Sequence, residues 1–321
     1  MTYERCRSRL PALLTAALAS AVLVGCGGAP APPSDSPDAA EAAPGVSADA
    51  AETANTDVTC EPWVAIAAET TASFRGVSAV DDSEVWVSGT EGTVGRSTDG
   101  GESFAFQTVP GAEALDFRDI DAFAGGVAYA LSAGPGDASQ IYKTADGGET
   151  WTRQFVNTAP EGFLDGMAFW DADRGLAYGD PVDGAFFILR TADGGDTWTR
   201  VSVDALPAAN DGEAGFAASG TGLAVDASGL ALFGTGGATS RVFRSVDFGE
   251  TWSVVDVPLL AGESSQGTFS IAIVDADRAV AVGGDFQAPE AADGNAAFSL
   301  DGGATWQVAA SAPGGYRSAV V

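Results

Sequence analysis

The sequence predicts an all-β fold made of repeated four-stranded antiparallel sheets. Three observations predict it. One octapeptide recurs five times, each copy flanked by short apolar runs, and Gly is abundant at 42 of 321 residues. Short apolar runs separated by Gly-rich turns are the pattern of strands and hairpins.

The octapeptide reads STDGGESF at 97–104, TADGGETW at 144–151, TADGGDTW at 191–198, SVDFGETW at 245–252 and SLDGGATW at 299–306. Its aspartates are Asp99, Asp146, Asp193, Asp247 and Asp301, at intervals of 47, 47, 54 and 54 residues. An apolar strand precedes each copy and another follows, so the octapeptide is a hairpin turn. The Asp carboxylate accepts backbone N–H groups within the turn. The Gly pair supplies φ > 0, and the Trp ring packs over the turn. These aspartates are therefore structural staples and not acid catalysts.

The intervening sequence supplies the remaining strands. The first unit has apolar runs at 74–80, 85–89, 94–97 and 104–108, and the third at 164–170, 176–179, 186–191 and 198–203. Four strands in about 47 residues is the spacing of a β-propeller blade. Five octapeptides are visible. The segment EPWVAI at 61–66 reads as an outer strand donated to the last blade, and GYRSAV at 315–320 reads as the first strand of an incomplete sixth blade. Either the sequence is part of a longer one or the ring is left open, and the repeat period favours truncation by roughly 40 or more residues.

The chain divides into residues 1–25, a signal peptide; 26–59, an Ala/Pro/Ser/acidic tether; and 60–321, the repeat domain. Arg5, Arg7 and Arg9 precede an apolar stretch at 10–24, too short and too rich in small residues for a spanning helix. That stretch ends in Leu23-Val24-Gly25-Cys26, which resembles the lipobox of bacterial lipoproteins. The resemblance implies cleavage before Cys26, a lipid on its sulfur, and an extracytoplasmic protein anchored to a membrane. Residues 27–59 lack apolar periodicity and cannot offset the entropy of ordering. Cys60 is then a lone thiol, without a disulfide partner or a metal set.

Composition excludes several functions. There are 44 acidic residues against 15 basic ones, a net charge of −29, and the single lysine is Lys143. Such a surface repels nucleic acid and anionic lipid. Histidine is absent, which removes Ser-His-Asp and Cys-His mechanisms and His-ligated metals. Acidic loops such as 180–183 lack EF-hand spacing, and no dinucleotide, CxxC or haem signature occurs. No cofactor and no metal is expected.

In such a ring the octapeptide turns lie on one face. The loops between second and third strands, at 90–92, 134–137, 179–183, 234–240 and 283–295, lie on the other. Spacing aligns the first strands at Phe74, Phe117, Leu164, Ser219 and Phe269, each fifteen residues before Gly89, Ser132, Gly179, Gly234 and Gly284. The residues after each start are Arg75, Arg118, Asp165, Gly220 and Ser270, and Arg317 follows Tyr316. Innermost strands line the channel, so Arg75, Arg118 and Arg317 at one level would form a cationic focus. Arg recognises carboxylates bidentately, and an anionic ligand or peptide carboxylate fits it. The alternative is that these Arg pair with Asp119, Asp121 or Asp165 and tie sheets together.

The pattern S/T-x-D-G-G-x-T-W resembles the Asp box, or bacterial neuraminidase repeat. Sialidases share it, and Phe74-Arg75-Gly76-Val77 partly matches their FRIP segment, but no Tyr-Glu pair can be assigned among five tyrosines. FRGVSAVDDSEVWVSGTEGTVGRSTDGG at 74–101 and FRDIDAF at 117–123 resemble the photosystem II stability/assembly-factor family. That resemblance covers roughly residues 63–321. It implies a non-enzymatic extracytoplasmic propeller, seven-bladed in photosynthetic members, that chaperones a membrane-protein subunit through an Arg patch; Arg75 and Arg118 match the blade-start pattern.

Two functions follow. The first is a binding or assembly module that docks an envelope protein or anionic ligand on the face opposite the octapeptides, through Arg75, Arg118, Asp165, Asp180, Asp183, Asp285 and Arg317. The second is a glycoside hydrolase acting on a glycan, with Asp165, Asp180 and Asp285 as candidate paired carboxylates.

Overall fold

The computed structural model describes residues 68–321, residues 65–66, and two short strands at Glu4–Cys6 and Cys60–Pro62. The chain forms two units, Met1–Ala65 and Ile66–Val321. In the first, the two short strands pair antiparallel. Residues 60–62 thus pair with 4–6, where the sequence predicted a strand added to the last sheet. Cys26 and most of the expected signal and tether segments lie outside the described residues.

The second unit is all-β. Its only helical elements among the described residues are one-turn 3-10 helices at Gly136–Ala138 and Val203–Ala205. The first sheet runs through Phe74–Ala79, Val85–Gly89, Thr93–Ser97 and Ala105–Thr108. The second runs through Phe117–Phe123, Val127–Ser132, Gln140–Thr144 and Thr152–Val156. The third has Leu164–Phe169, Gly175–Val182, Ala185–Thr191 and Thr199–Arg200. The fourth has Leu223–Val225, Ala231–Gly234, Arg241–Ser245 and Ser253–Asp256. The fifth has Gln266–Ile273, Ala279–Asp285, Ala296–Ser299 and Gln307–Val308, extended by Gly236–Gly237 and Glu213–Ala214 at its inner edge. The first four are antiparallel meanders, as are the last four strands of the fifth.

The core is divided into four slabs, each between consecutive sheets. Trp86 and Val94 meet Phe117, Ile120 and Tyr142 between the first two. Tyr129, Leu131 and Ile141 meet Met167, Phe169 and Leu189 in the next. Tyr178, Phe186 and Ile188 then meet Phe233, Phe243 and Trp252, and Leu232 and Val242 meet Ile271, Ala281 and Trp306. Both faces of the middle sheets are covered, which explains why their strands read as continuous apolar runs. Sheets stacked in chain order, with first strands side by side, form the arrangement of propeller blades.

The octapeptide turns repeat atom for atom. In the second, Asp146 accepts hydrogen bonds from the Thr144 hydroxyl at 2.8 Å, the Thr150 N–H at 2.8 Å and the Thr150 hydroxyl at 2.6 Å. Thr144 Oγ1 in turn accepts the Gly148 N–H at 3.0 Å. Asp99, Asp193, Asp247 and Asp301 make the same set. These bonds stabilise the ionised carboxylate, and Asp99, Asp146 and Asp301 are lowered to about 2.

A second repeated device escaped the sequence reading. The cation just before the octapeptide reaches the turn of the following sheet. Arg96 donates to Gly147 O at 3.3 Å, Lys143 to Gly194 O at 2.6 Å and Arg244 to Gly302 O at 2.8 Å, while Arg190 meets Glu250 at 3.3 Å. Much of the scarce positive charge is placed at these sheet-to-sheet latches.

Candidate functional site

A β-bulge opens four of the five first strands. Phe74 pairs with Gly89 and Gly76 with Ser88, which leaves Arg75 as the extra residue. The same count isolates Arg118 between Phe117 and Asp119, Asp165 between Leu164 and Gly166, and Phe269 between Thr268 and Ser270. A bulge bends the strand and re-aims the extra side chain. Here it turns four side chains toward one cavity of about 610 Å³, lined also by Asp180, Phe216, Phe286, Tyr316 and Ser318. The bulge requires a close backbone approach on the facing strand. A Cβ on Gly179 would lie 2.1 Å from Phe163 O, and one on Gly283 1.9 Å from Gly267 O, so glycine stands at both.

This register corrects the spacing alignment. The fifth first strand pairs Thr268 with Gly283, so Phe269 and not Ser270 shares the level of Arg75, Arg118 and Asp165. In the fourth sheet, Thr235 O accepts the N–H of Thr268 from the next sheet, and no bulge opens Leu223–Val225. Gly220 consequently has no equivalent position. In its place the segment 215–218 enters the cavity. At the chain's end, Val320 N–H donates to Ser270 Oγ at 3.0 Å, as Met167 N–H donates to Asp119 Oδ2 at 2.7 Å. Counting back two residues from each brings Ser318 level with Asp165. Arg317 turns away and donates to Tyr316 O at 2.8 Å and Gly315 O at 3.3 Å.

The cavity has unlike walls. One is polar. Arg118 donates to Asp116 Oδ2 at 2.6 Å and to Ala217 O at 2.7 Å, which ties the second sheet to the 215–218 segment. Arg75 is exposed and has no carboxylate within ion-pair distance among the described residues. Asp180 Oδ1 accepts the Gly215 N–H at 2.9 Å. Asp165 is 2% exposed, and its Oδ2 has no hydrogen-bond partner. Burial pushes the Asp165 carboxyl well up, and the neighbouring Asp180 adds to the rise. Burial also raises Asp180, against the Gly215 bond that lowers it.

The other wall is aromatic. Phe216 stacks on Phe269 with centroids 3.7 Å apart and an interplanar angle of 18°. Tyr316 and Phe286 meet Phe269 edge-on at 4.9 and 6.1 Å. Phe286 is 48% exposed, so the wall reaches the mouth.

Of the residues named from sequence, Arg75, Arg118, Asp165 and Asp180 therefore share one cavity, at the end of the first strands away from the octapeptide turns. Asp183 sits at a loop tip with φ 60°, 3.4 Å from Arg200, and does not line it. Asp285 accepts Gln266 Nε2 at 3.1 Å and the Gln287 N–H at 2.8 Å, bonds that hold its carboxyl below the usual range. It too lies outside the lining. The expected pairing of these arginines with nearby aspartates forms for Arg118, with Asp116, and for neither Arg75 nor Arg118 with Asp119, Asp121 or Asp165. Asp119 and Asp121 instead accept the backbone N–H groups of Met167 and Phe169 on the third sheet. Phe216, Phe269, Phe286 and Tyr316 were missed, since an aromatic wall assembled from four segments has no local spacing. Among the described residues no group of three or more His, Cys, Asp or Glu is placed to hold a metal ion.

No protein-family model and no curated protein sequence matches the chain. Among solved structures, it is similar to YCF48 bound to D1 peptide, with 19% identity, 77% of this chain and 84% of that one covered, and a TM-score of 0.40. It is similar to YCF48 from Cyanidioschyzon merolae, with 16% identity, 75% and 86% covered, and a TM-score of 0.42. The GH74 enzyme from Niastella koreensis shares 17% identity over 73% of this chain and 31% of that one, with a TM-score of 0.45.

Proposed function

We propose that the protein is an Asp-box β-propeller with five complete blades, held outside the cytoplasm by a lipid on Cys26, and that it acts as a non-enzymatic binding or assembly module of the cell envelope. The observation that carries this reading is the convergence of four bulge residues, Arg75, Arg118, Asp165 and Phe269, on one cavity opposite the octapeptide turns. A strand that gives up ladder bonds to aim a side chain is a feature of binding sites. Arg75, exposed and without an ion-pair partner, supplies a free guanidinium for a carboxylate. The resemblance of residues 74–101 and 117–123 to photosystem II stability/assembly factors points the same way. The partner is an envelope protein presenting an anionic group. Capture from solubilised envelope membranes on the full-length chain tests this: a specific protein is retained, and Arg75→Ala with Arg118→Ala releases it. Unchanged recovery by the double variant would refute the arginine site. Loss of the lipid label in Cys26→Ser tests the anchor.

A second reading is a glycoside hydrolase. It is favoured by Asp165 and Asp180, two carboxyls raised by burial beside an aromatic wall, since a raised carboxyl is suited to the role of general acid. A screen of chromogenic glycosides with Asp165→Asn as control separates the two. Turnover that vanishes in Asp165→Asn selects the hydrolase, and inactivity across the screen selects the binding module.

A further inference from the structure

The charge arrangement inside the cavity specifies more than an anion. Asp165 is the deepest polar group on its wall, and its Oδ2 is buried without a partner. Desolvating a carboxyl oxygen with nothing to bond costs free energy comparable to a lost hydrogen bond. Native proteins keep few such groups, and those that persist call for an explanation. Gly215 packs directly against it: a Cβ added there would sit 2.1 Å from Asp165 Oδ2, so only a glycine lets the 215–218 segment come this close to the carboxyl. Asp180 stands beside Asp165 and spends Oδ1 on the Gly215 N–H. Two carboxyls at the floor favour a cation, whereas Arg75 at the rim favours an anion. Between them lies the Phe216–Phe269–Tyr316 wall.

Resting on the reading of this cavity as a binding site, we propose that its ligand is a small zwitterion with a flat apolar side chain, of the free aromatic amino-acid class. Its ammonium lies against Asp165 and Asp180, its carboxylate against Arg75, and its side chain against the aromatic wall. A simple anion satisfies Arg75 but leaves the Asp165 and Asp180 carboxyls at the floor without a counter-charge. A simple cation satisfies the floor but meets Arg75 and Arg118 at the entrance. Only a molecule carrying both charges matches every wall.

The reading also predicts a proton count. Asp180 and Tyr178 of its own sheet stand beside Asp165, and Arg118 of the second sheet and Arg75 of the first line the same cavity. The segment 215–218 brings no charge. Burial, with the neighbouring Asp180 adding to it, pushes the Asp165 carboxyl well above its ordinary range in the empty site. An arriving ammonium favours the ionised carboxylate, so binding releases a proton to the buffer.

Titration calorimetry on the full-length chain, in buffers of different ionisation enthalpy, tests the proposal with three probes. L-Phenylalanine carries both charges, phenethylamine only the cation and 3-phenylpropionate only the anion. The expected result is binding of L-phenylalanine with proton release, tighter than either analogue. Asp165→Asn should weaken it roughly ten- to a hundredfold, the worth of one charge-assisted contact, and abolish the proton release. Gly215→Ala, whose Cβ would displace the Asp165 carboxyl without removing a polar group, should weaken it as well and provides the control if the Asn variant is unstable. A free amino acid is distinguished from a peptide terminus by phenylalanyl-alanine amide, which keeps the amine but lacks the adjacent carboxylate and should bind more weakly. Equal binding of 3-phenylpropionate and L-phenylalanine overturns the proposal. So does absence of L-phenylalanine binding while Arg75-dependent capture of an envelope protein persists, an outcome that leaves the proposed function standing.

Discussion

Asp119 Oδ2 accepts the backbone N–H of Met167, at 2.7 Å, across the gap between the second and third sheets. Its other oxygen accepts the N–H of Ile120 at 2.8 Å. The carboxyl is 5% exposed and raised well above its usual range by burial, with Asp121 as a further cause. It is therefore a buried sheet-to-sheet tie. Asp119→Asn offers one acceptor for two donors and should cost about 1–2 kcal/mol. Asp119→Ala strands both donors and should cost about 2–4 kcal/mol. Urea melts on the two variants check the order, and equal costs would show that Asp119 does not hold Met167.

The pH profile of stability follows from two opposed sets of aspartates. Asp99, Asp146 and Asp301 are lowered to about 2 by their turn bonds. Their contribution is complete above the unfolded carboxyl pKa of about 4 and is lost as pH falls through about 2. Asp121 is raised to about 7 by burial, and Asp119, Asp165 and Asp180 are raised as well. Between about pH 4 and 7 the folded chain binds more protons at these sites than the unfolded chain. Stability therefore falls as pH rises across that window. The net charge of −29 acts in the same sense, because self-repulsion relaxes as carboxylates protonate. Thermal melts should show Tm rising from pH 8 to about 5 and collapsing below about 3. A Tm that is flat or falls on going from pH 8 to 5 would contradict the assignment of protonated inner aspartates.

Glu213 and Arg241 form a buried ion pair, with side chains 0% and 9% exposed. Glu213 also accepts Thr235 Oγ1 at 2.5 Å and the Asn210 N–H at 2.9 Å, while Arg241 donates to Ala208 O at 2.9 Å. The pair fixes residues 208–214, which deliver Phe216 to the cavity. Removing one partner leaves the other charge buried and unpaired. Glu213→Gln should cost about 3–5 kcal/mol, and a double replacement by Met should cost less than Glu213→Gln alone. If Glu213→Gln proves neutral in denaturant melts, the pair is not what holds this segment.

The parts of the molecule visible in the sequence are those written in repeated local patterns. The octapeptides, their aspartate staples and the strand positions of the first and third sheets follow from turn chemistry and apolar runs. The first strand of the third sheet ends at Phe169, one residue short of the expected 164–170. The site was legible where the repeat stayed regular. Arg75, Arg118 and Asp165 follow their neighbours at fixed spacing, and Asp180 lies in the loop facing them. Legibility ended where the interval changed from 47 to 54 residues. The first enlarged unit holds the edge strand Glu213–Ala214 and the following residues 215–218, which carry Phe216 into the cavity. Fifteen-residue counting then slipped by one, pairing Phe269 with Gly284 where the backbone pairs Thr268 with Gly283. A bulge adds a residue without any composition signal, so only the hydrogen-bond register reveals which side chain is re-aimed.

Arg75 and Arg118 share a bulge position but differ in what depends on them. Arg118 is bound on both sides, to Asp116 and to Ala217 O, and links segments 99 residues apart. Arg75 makes no ion pair among the described residues and is exposed. Arg118→Ala should therefore destabilise the fold by about 1–2 kcal/mol, with exposure of the pair limiting the loss. Arg75→Ala should stay within about 0.5 kcal/mol of the parent. Partner capture should respond in a different order. A free guanidinium can engage a carboxylate without first giving up an internal partner, so Arg75→Ala should weaken capture at least as much as Arg118→Ala despite its smaller effect on stability. Arg75→Lys separates charge from geometry: a single ammonium cannot reproduce the two parallel N–H bonds of a guanidinium, and only partial capture should return. Melting curves and capture assays on the three single variants decide the matter. A ranking in which capture simply tracks stability would reduce Arg75 to a surface charge and move the binding determinant onto the aromatic wall.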